Sequence, residues 1–447
     1  MDVDDVARRA DEAGLRFVRF LWCGNDGTVR AKASSRHGLE GRLESGIGLT
    51  VAMQAMNALD ELQPIDGMGP VGEVRLIPDL DTFRVLPYAP LTGAVLTDHV
   101  ALDGTPAAVC QRSFLKRMEA RLADLGLVLR ATFENEFSLA VEENGRYVPI
   151  DAGLCFSTIA ATAAQRYVDE LAAALDEQGI ALEQYYTELG HGQQEISTGH
   201  APALQAADEQ LLVRETIRAV AARNGMVASL APKPWPDNAG NGAHVHFSLW
   251  EGGRNRFHDS SAPDLLSREA RSFIAGVLEH LPGLCGLTAP SFNSYRRIVP
   301  QYWAGAFLCW GHDNREAPVR VPSAFSGMEE ASTNVELKAC DASCNPYLAL
   351  GGLIAAGLDG FERGIEPPDP VEVDPATIDG DERTRRAIVG LPATQEEALD
   401  ALEADPVLTR ALGPVLAESY LAVRRSEWAA YSAGDAAFEQ QGHFEKY

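Results

Sequence analysis

Apolar and polar residues alternate strictly in His-Val-His-Phe-Ser, residues 244–248, and in Thr-Phe-Glu-Asn-Glu-Phe, residues 132–137, two acids stand one residue apart in a strand-like stretch. A period of two belongs to a strand, whose successive side chains point to opposite faces. Glu134 and Glu136 therefore share one face, and His244, His246 and Ser248 share another. A helical period is predicted at 3–13, 113–125, 157–178, 203–223, 267–280 and 346–361. Gly14, Gly126, Gly179 and Asn224-Gly225 stand where left-handed caps would close four of these helices. Thr394 with Glu397 predicts a capping box that opens another helix, with one or two more to follow.

The first hundred residues are dominated by strand patterns. Segments 16–23 and 28–34 flank Asn25-Asp26-Gly27, a strong hairpin signal, and 73–77 and 93–98 are also strand-like. This predicts a small α+β domain over 1–103, ending near Asp103-Gly104-Thr105-Pro106, and a second domain over 104–447. In the second domain helical and extended segments take turns, which implies a sheet backed by helices. The Pro- and Asp-rich stretch 366–382 is expected to be an exposed loop, and no internal repeat is present.

Charge narrows the function. The chain has 64 acidic against 38 basic residues, a net charge of −26, which argues against nucleic acid or an anionic membrane as partner. Seven scattered cysteines without a Cys-x-x-Cys pair read as reduced thiols. The start, Met-Asp-Val-Asp-Asp, has no basic apolar leader, and the longest apolar run, 347–357, falls short of the roughly 20 residues that span a bilayer. A cytoplasmic protein is expected.

Several stretches carry chemistry. Two adjacent carboxylates on one strand face repel unless cations are near, and hard divalent ions are the usual answer. Glu188 and Glu195 flank a glycine-bearing turn that would bring both acids to one point. A Pro- and Gly-rich approach, Lys233 to Gly242, leads into His244 and His246. Arg297, Arg315 and Arg320 offer forked donors for carboxylate or phosphate, and Glu336 alternates with Lys338. Taken singly, each stretch is equally a solvated strand face, a surface hairpin or a surface ion pair. Together they fit two adjacent metal sites with anion clamps, an inventory for phosphoryl transfer involving a small acid.

In this order, Thr-Phe-Glu-Asn-Glu-Phe, Glu188 to Glu195, Lys-Pro-Trp-Pro through His-Val-His, Asn-Ser-Tyr-Arg-Arg-Ile-Val-Pro, Asn-Arg-Glu-Ala-Pro-Val-Arg and Asn-Pro-Tyr-Leu-Ala make the chain resemble the glutamine synthetase family over nearly its whole length. The resemblance implies an α+β fold: an N-terminal β-grasp domain and a catalytic domain with a curved antiparallel sheet backed by helices. It implies a homo-oligomer, commonly a dodecamer of two stacked hexamers, with active sites between neighbours. Glu136, Glu188 and Glu195 would hold one Mg²⁺ or Mn²⁺, and Glu134, His244 and Glu336 the second. His246 and Ser248 would lie by ATP, with Arg315 and Arg320 on phosphate or the phosphorylated carboxyl. Arg297 would take the α-carboxylate of glutamate and Gly240 its amino group.

Departures from the family pattern fall on the nitrogen side. Ammonia-using members carry an Asp where Thr50 stands and a flap Glu where Trp303 stands, and those acids bind and help deprotonate ammonium. Their loss implies an acceptor amine larger than ammonia, with Trp303 as an apolar wall or a cation–π partner. Asp60, Glu61 and Asp66 are candidate substitutes for the missing acids. Asn334 and Lys338 replace arginines, and Ala239 replaces an Asn, with Asn238 adjacent. The implied activity is an ATP-dependent glutamate–amine ligase acting through a γ-glutamyl phosphate. Glutamine synthesis with unusual ammonium-site residues, or a non-catalytic nucleotide-binding homologue, are the alternatives.

Overall fold

The computed structural model describes residues 1–447. Its N-terminal part is a six-stranded mixed sheet in which Phe17–Cys23 pairs antiparallel with Val29–Ser35 and parallel with Thr92–Val100. Helices Val3–Glu12 and Leu39–Ser45 pack on it. The two central strands are buried on both faces. Val18, Phe20, Trp22 and Val95 join a small core with these helices, while Leu21, Cys23, Ala94 and Leu96 join the large core of the rest of the chain.

The predicted hairpin turn is the wedge between the two parts. Asn345 Nδ2 donates to the carbonyls of Cys23 and Gly24, both at 3.1 Å, and Arg214 Nη2 donates to that of Gly27 at 2.7 Å. Gly27, at φ +76°, lies so close to the Ser343 carbonyl that a Cβ there would sit 2.1 Å from its oxygen. Only glycine fits.

The larger part is built on an eleven-stranded sheet ordered Trp310–His312, Val319–Val321, Val335–Leu337, Ala243–Glu251, Val128–Glu143, Gln193–Thr198, Leu182–Thr187, with short strands at its margins. Every pairing is antiparallel except that of Trp310–His312 with Val319–Val321. Leu129, Ala131, Phe133, Phe137, Val245, Phe247 and Leu249 point from the central strands into the main core, shared with helices Thr158–Glu177, Ala203–Arg223, Arg268–Thr288 and Pro346–Arg363. The opposite face is left for polar residues.

Three local expectations differ from the structure. The helix predicted to end at residue 280 runs to Thr288 through Pro282. It is buried along most of its length, and tertiary packing outweighs the lost hydrogen bond. It meets Pro346–Arg363 backbone to backbone: a Cβ on Gly360 would lie 2.2 Å from the Ser272 carbonyl oxygen and 2.4 Å from the Gly276 nitrogen. The stretch 366–382 is not all exposed loop. Val371 is buried with Cys309, Ala317 and Ile388, and helix Gly380–Arg385 begins within it. A single apolar anchor was hidden by the Pro- and Asp-rich composition. At Thr394 half the capping box forms: its hydroxyl accepts from Glu397 N, but the Glu397 carboxylate accepts from Ala393 N.

Candidate active site

Cross-strand register brings the acids together. Glu195 stands opposite Glu136, with Tyr186 opposite Glu195, while His244 faces Glu134 and His246 faces Glu336. Glu134, His244 and Glu336 present ligand atoms that all lie within 4.8 Å of one another. His244 Nδ1 is 3.5 Å from Glu134 and 3.3 Å from Glu336, and its Nε2 is 3.7 Å from Glu136. His246 Nε2 lies 3.6 Å from Glu134 and 3.9 Å from Glu336. Glu336 has no solvent exposure, and it pairs with Arg320 at 2.7 Å and Lys338 at 3.2 Å.

Electrostatics divides the acids into two groups. Burial opposes ionisation of Glu336, but Lys338, His246, His244 and Arg320 outweigh it and bring its pKa to about 2. Burial also opposes ionisation of the half-buried Glu134, yet hydrogen bonds from His244 and His246 hold it well below the usual carboxylate range. Glu195 has the opposite fate: burial and the charges of Glu134 and Glu136 push it to about 11. Burial and Glu136 also raise Glu188. Acids this crowded are short of positive charge, and an oxygen-rich set with one imidazole suits hard divalent cations. Glu134, His244 and Glu336, whose ligand atoms converge, therefore fit Mg²⁺ or Mn²⁺, and Glu136, Glu188 and Glu195 are neighbouring acids.

Further residues orient these groups, and Tyr186 and Gln193 among them are not singled out by the sequence motifs. The Tyr186 hydroxyl donates to Glu134 at 3.2 Å and also to Glu195. Gln193 Nε2 donates to Glu136 at 3.1 Å, and Gly242 N donates to the same carboxylate at 2.9 Å. Asn334 Oδ1 lies 2.9 Å from His246 Nδ1, so the position lacking an arginine fixes an imidazole instead. Tyr186 stands two residues before Glu188 on the strand Leu182–Thr187, so alternation carried back from that acid points to it.

Arg297, the residue expected on a substrate carboxylate, is buried. Its Nη2 donates to the carbonyls of Lys338 and Cys340, at 3.2 and 2.9 Å, while its Nε is buried without a partner. A Cβ on Gly240 would meet Arg297 Cγ at 2.7 Å, and one on Gly242 would meet His244 Nε2 at 2.5 Å. Bare backbone thus lies against the aliphatic stem of Arg297 at Gly240, and a Cβ on Gly242 would come within 3.2 Å of its Nη1. Asn238 is not available there: its Oδ1 accepts from His191 N at 2.8 Å and its Nδ2 donates to His191 O at 3.0 Å. Ser248 is buried, its hydroxyl accepting from Trp250 Nε1 at 2.9 Å. Arg315 is exposed. Thr50 is exposed on the edge strand Ile47–Thr50, and Trp303 is 62 % exposed. Of the candidate replacement acids, Asp60 is paired with Arg30 at 3.2 Å, Glu61 accepts from Asn57 Nδ2 at 3.3 Å, and Asp66 is exposed.

The profile described as "Glutamine synthetase, catalytic domain" matches residues 108–442, and that of the "Glutamine synthetase N-terminal domain" matches residues 2–107. The chain belongs to the glutamine synthetase family. It is 37 % identical to the γ-glutamylpolyamine synthetase GlnA3 of Streptomyces coelicolor over 93 % of this chain and 90 % of that protein. It is 33 % identical to the glutamine synthetase of Halobacterium salinarum, over 100 % of this chain and 96 % of that one. Among solved structures, a "novel glutamine synthase homolog" superposes with a TM-score of 0.87 at 32 % identity, covering 97 % of this chain and 99 % of the other. GmaS in complex with ADP superposes with a TM-score of 0.86 at 28 % identity, covering 98 % of each. The protein is thus a ligase-family member with the glutamine synthetase fold. Its seven cysteines are free, and no helix is long and apolar enough to cross a membrane.

Proposed function

We propose that the protein is an ATP-dependent ligase that joins the γ-carboxylate of glutamate to an amine larger than ammonia. The observation that carries the acceptor reading is the pair Thr50 and Trp303, an uncharged residue and an indole where ammonia-using relatives place acids. In the reaction a γ-carboxylate oxygen bonds the terminal phosphorus of ATP and ADP leaves. The amine nitrogen then bonds the acyl carbon, inorganic phosphate leaves, and the nitrogen loses a proton.

The chain's own residues have distinct parts in this reading. Arg297, with the Gly240 backbone beside its stem, binds the α-carboxylate and α-amino groups of glutamate. His246 and Ser248 lie toward the nucleotide, and Arg315 and Arg320 toward the transferred phosphoryl group. Arg320 and Lys338 hold Glu336 ionised among the metal ligands. Bound Mg²⁺ or Mn²⁺ would neutralise charge on that group. Domain 1–103 of one subunit, carrying Thr50, faces Trp303 of its neighbour in a homo-oligomer, in keeping with a family that commonly forms rings.

The test is ADP release with glutamate across alkylamines, polyamines, aromatic amines and ammonia. No release with any amine would end the acceptor reading. Glutamine made from ammonia faster than any larger amide would favour glutamine synthesis, the reading supported by full-length relatives bearing that name. Nucleotide binding without turnover under every condition would favour a non-catalytic homologue, against which the complete set Glu134, Glu136, Glu188, Glu195, His244 and Glu336 speaks.

A further inference from the structure

We propose that Glu316 is a positioning residue that latches the loop at 299–305 and so sets which amine reaches the acyl phosphate; this rests on the ligase reading above. Glu316 is only 7 % exposed. Its Oε1 accepts from Trp303 N at 2.9 Å and its Oε2 from Gln301 N at 3.2 Å. Both of those residues are in the left-handed region, at φ +56° and +67°. Side chains with a Cβ disfavour that conformation, and it persists where surrounding structure over-determines it. Here two backbone N–H groups converge on one buried carboxylate, which is how an anion organises a nest of main-chain donors.

The latch is tied to the chemistry on its other side. Glu316 N donates to Asn314 Oδ1 at 3.0 Å, and Asn314 Nδ2 donates to the Val371 carbonyl at 2.6 Å, fixing the start of the segment. Two residues beyond Glu316, the Pro318 carbonyl accepts from Lys338 N at 2.8 Å, and Lys338 holds Glu336. Gly305 closes the loop by lying flat on Pro318, where a Cβ would come within 2.5 Å of the proline Cα. The segment from Glu316 to Pro318 therefore sets the loop bearing Trp303 in register with the metal-binding residues. Glutamine at 316 would keep the volume but offer one carbonyl oxygen and an amino group that opposes the second N–H.

The experiment compares wild type, Glu316→Gln and Glu316→Ala for amine-dependent ADP release and amide formed. In both variants the KM for the amine is expected to rise about tenfold, the scale of one or two lost charge-assisted hydrogen bonds. The KM values for ATP and glutamate stay within about twofold, because their contacts lie outside the loop. More ADP is released per amide formed, because a loosened loop admits water to the acyl phosphate. Adding Gln301→Gly to Glu316→Gln restores part of the amine KM, since glycine takes the left-handed conformation without help. An unchanged amine KM, a parallel rise for all three substrates with a lower melting temperature, or no rescue by glycine would each overturn the latch. If Glu316→Ala does not fold, the near-isosteric Glu316→Gln decides. Absence of amine-dependent release in wild type itself would overturn the ligase reading and the latch together.

Discussion

Replacing Glu336 with Gln isolates one charge at the centre of the polar face. Glutamine resembles the protonated acid, so the variant loses what ionisation contributes to the folded state. The carboxyl ionises at about 2 in the folded protein against a reference of 4.5, and at 1.36 kcal/mol per unit this is about 3 kcal/mol. The geometry supports the same size: Arg320 and Lys338, both largely buried, would lose their partner, a change that costs about 3–5 kcal/mol. Because the folded-state value is depressed, the contribution is complete above 4.5 and fades as pH falls toward 2. With an unfolding entropy of about 2.1 cal/mol/K per residue, 447 residues convert this loss into a fall in Tm of about 3 °C. The assay is thermal unfolding with chelator present, at pH 7 and at pH 4, where the deficit should narrow. A variant melting within about 1 °C of wild type at pH 7 would refute the electrostatic account.

Trp303→Glu combined with Thr50→Asp should shift the ratio of ammonia-dependent to larger-amine-dependent turnover toward ammonia by at least about tenfold, read as kcat/KM for each nitrogen source. His280 is buried between Asp405, 2.7 Å from Nδ1, and Asp359, 3.3 Å from Nε2, and these acids raise its pKa against the pull of burial. Its stabilisation is therefore complete below 6.5 and lost as pH rises through the raised value, so the Tm gap between wild type and His280→Gln should be wider at pH 6 than at pH 9. Gly360→Ala forces a methyl into two backbone atoms of the facing helix and should cost about 3 kcal/mol or more, seen as a lower Tm or loss of soluble protein.

Alternation alone makes the polar face legible in the chain: Glu134, Glu136, His244 and His246 fall on common faces because period two leaves no choice. The family resemblance supplies the joining of these strands and of Glu336, which local pattern cannot give, since Val335–Leu337 is three residues long. What stays hidden depends on contacts far apart in the chain. Asn334 reads as a missing arginine until its amide is seen on His246, and Asn238 reads as a spare ligand until its side chain is seen on His191. Pro282 reads as a helix end because proline lacks a donor, but the helix around it is held from outside. Glu316 lies inside a quoted motif, yet nothing beside it in the sequence gives its partners, because the nitrogens it binds belong to a loop some dozen residues earlier.

The strand Val128–Glu143 has a consequence for how this sequence can vary. One of its sides is solvent for ions and the other is solvent for hydrocarbon, so reading frame and chemistry are locked together. Deleting one residue upstream of Thr132 would turn Phe133 and Phe137 toward the carboxylates and imidazoles and Glu134 toward oil, ruining polar face and scaffold at one stroke. Variation therefore has to enter through the margins, where segments such as 299–305 can be rewritten without retyping the spine.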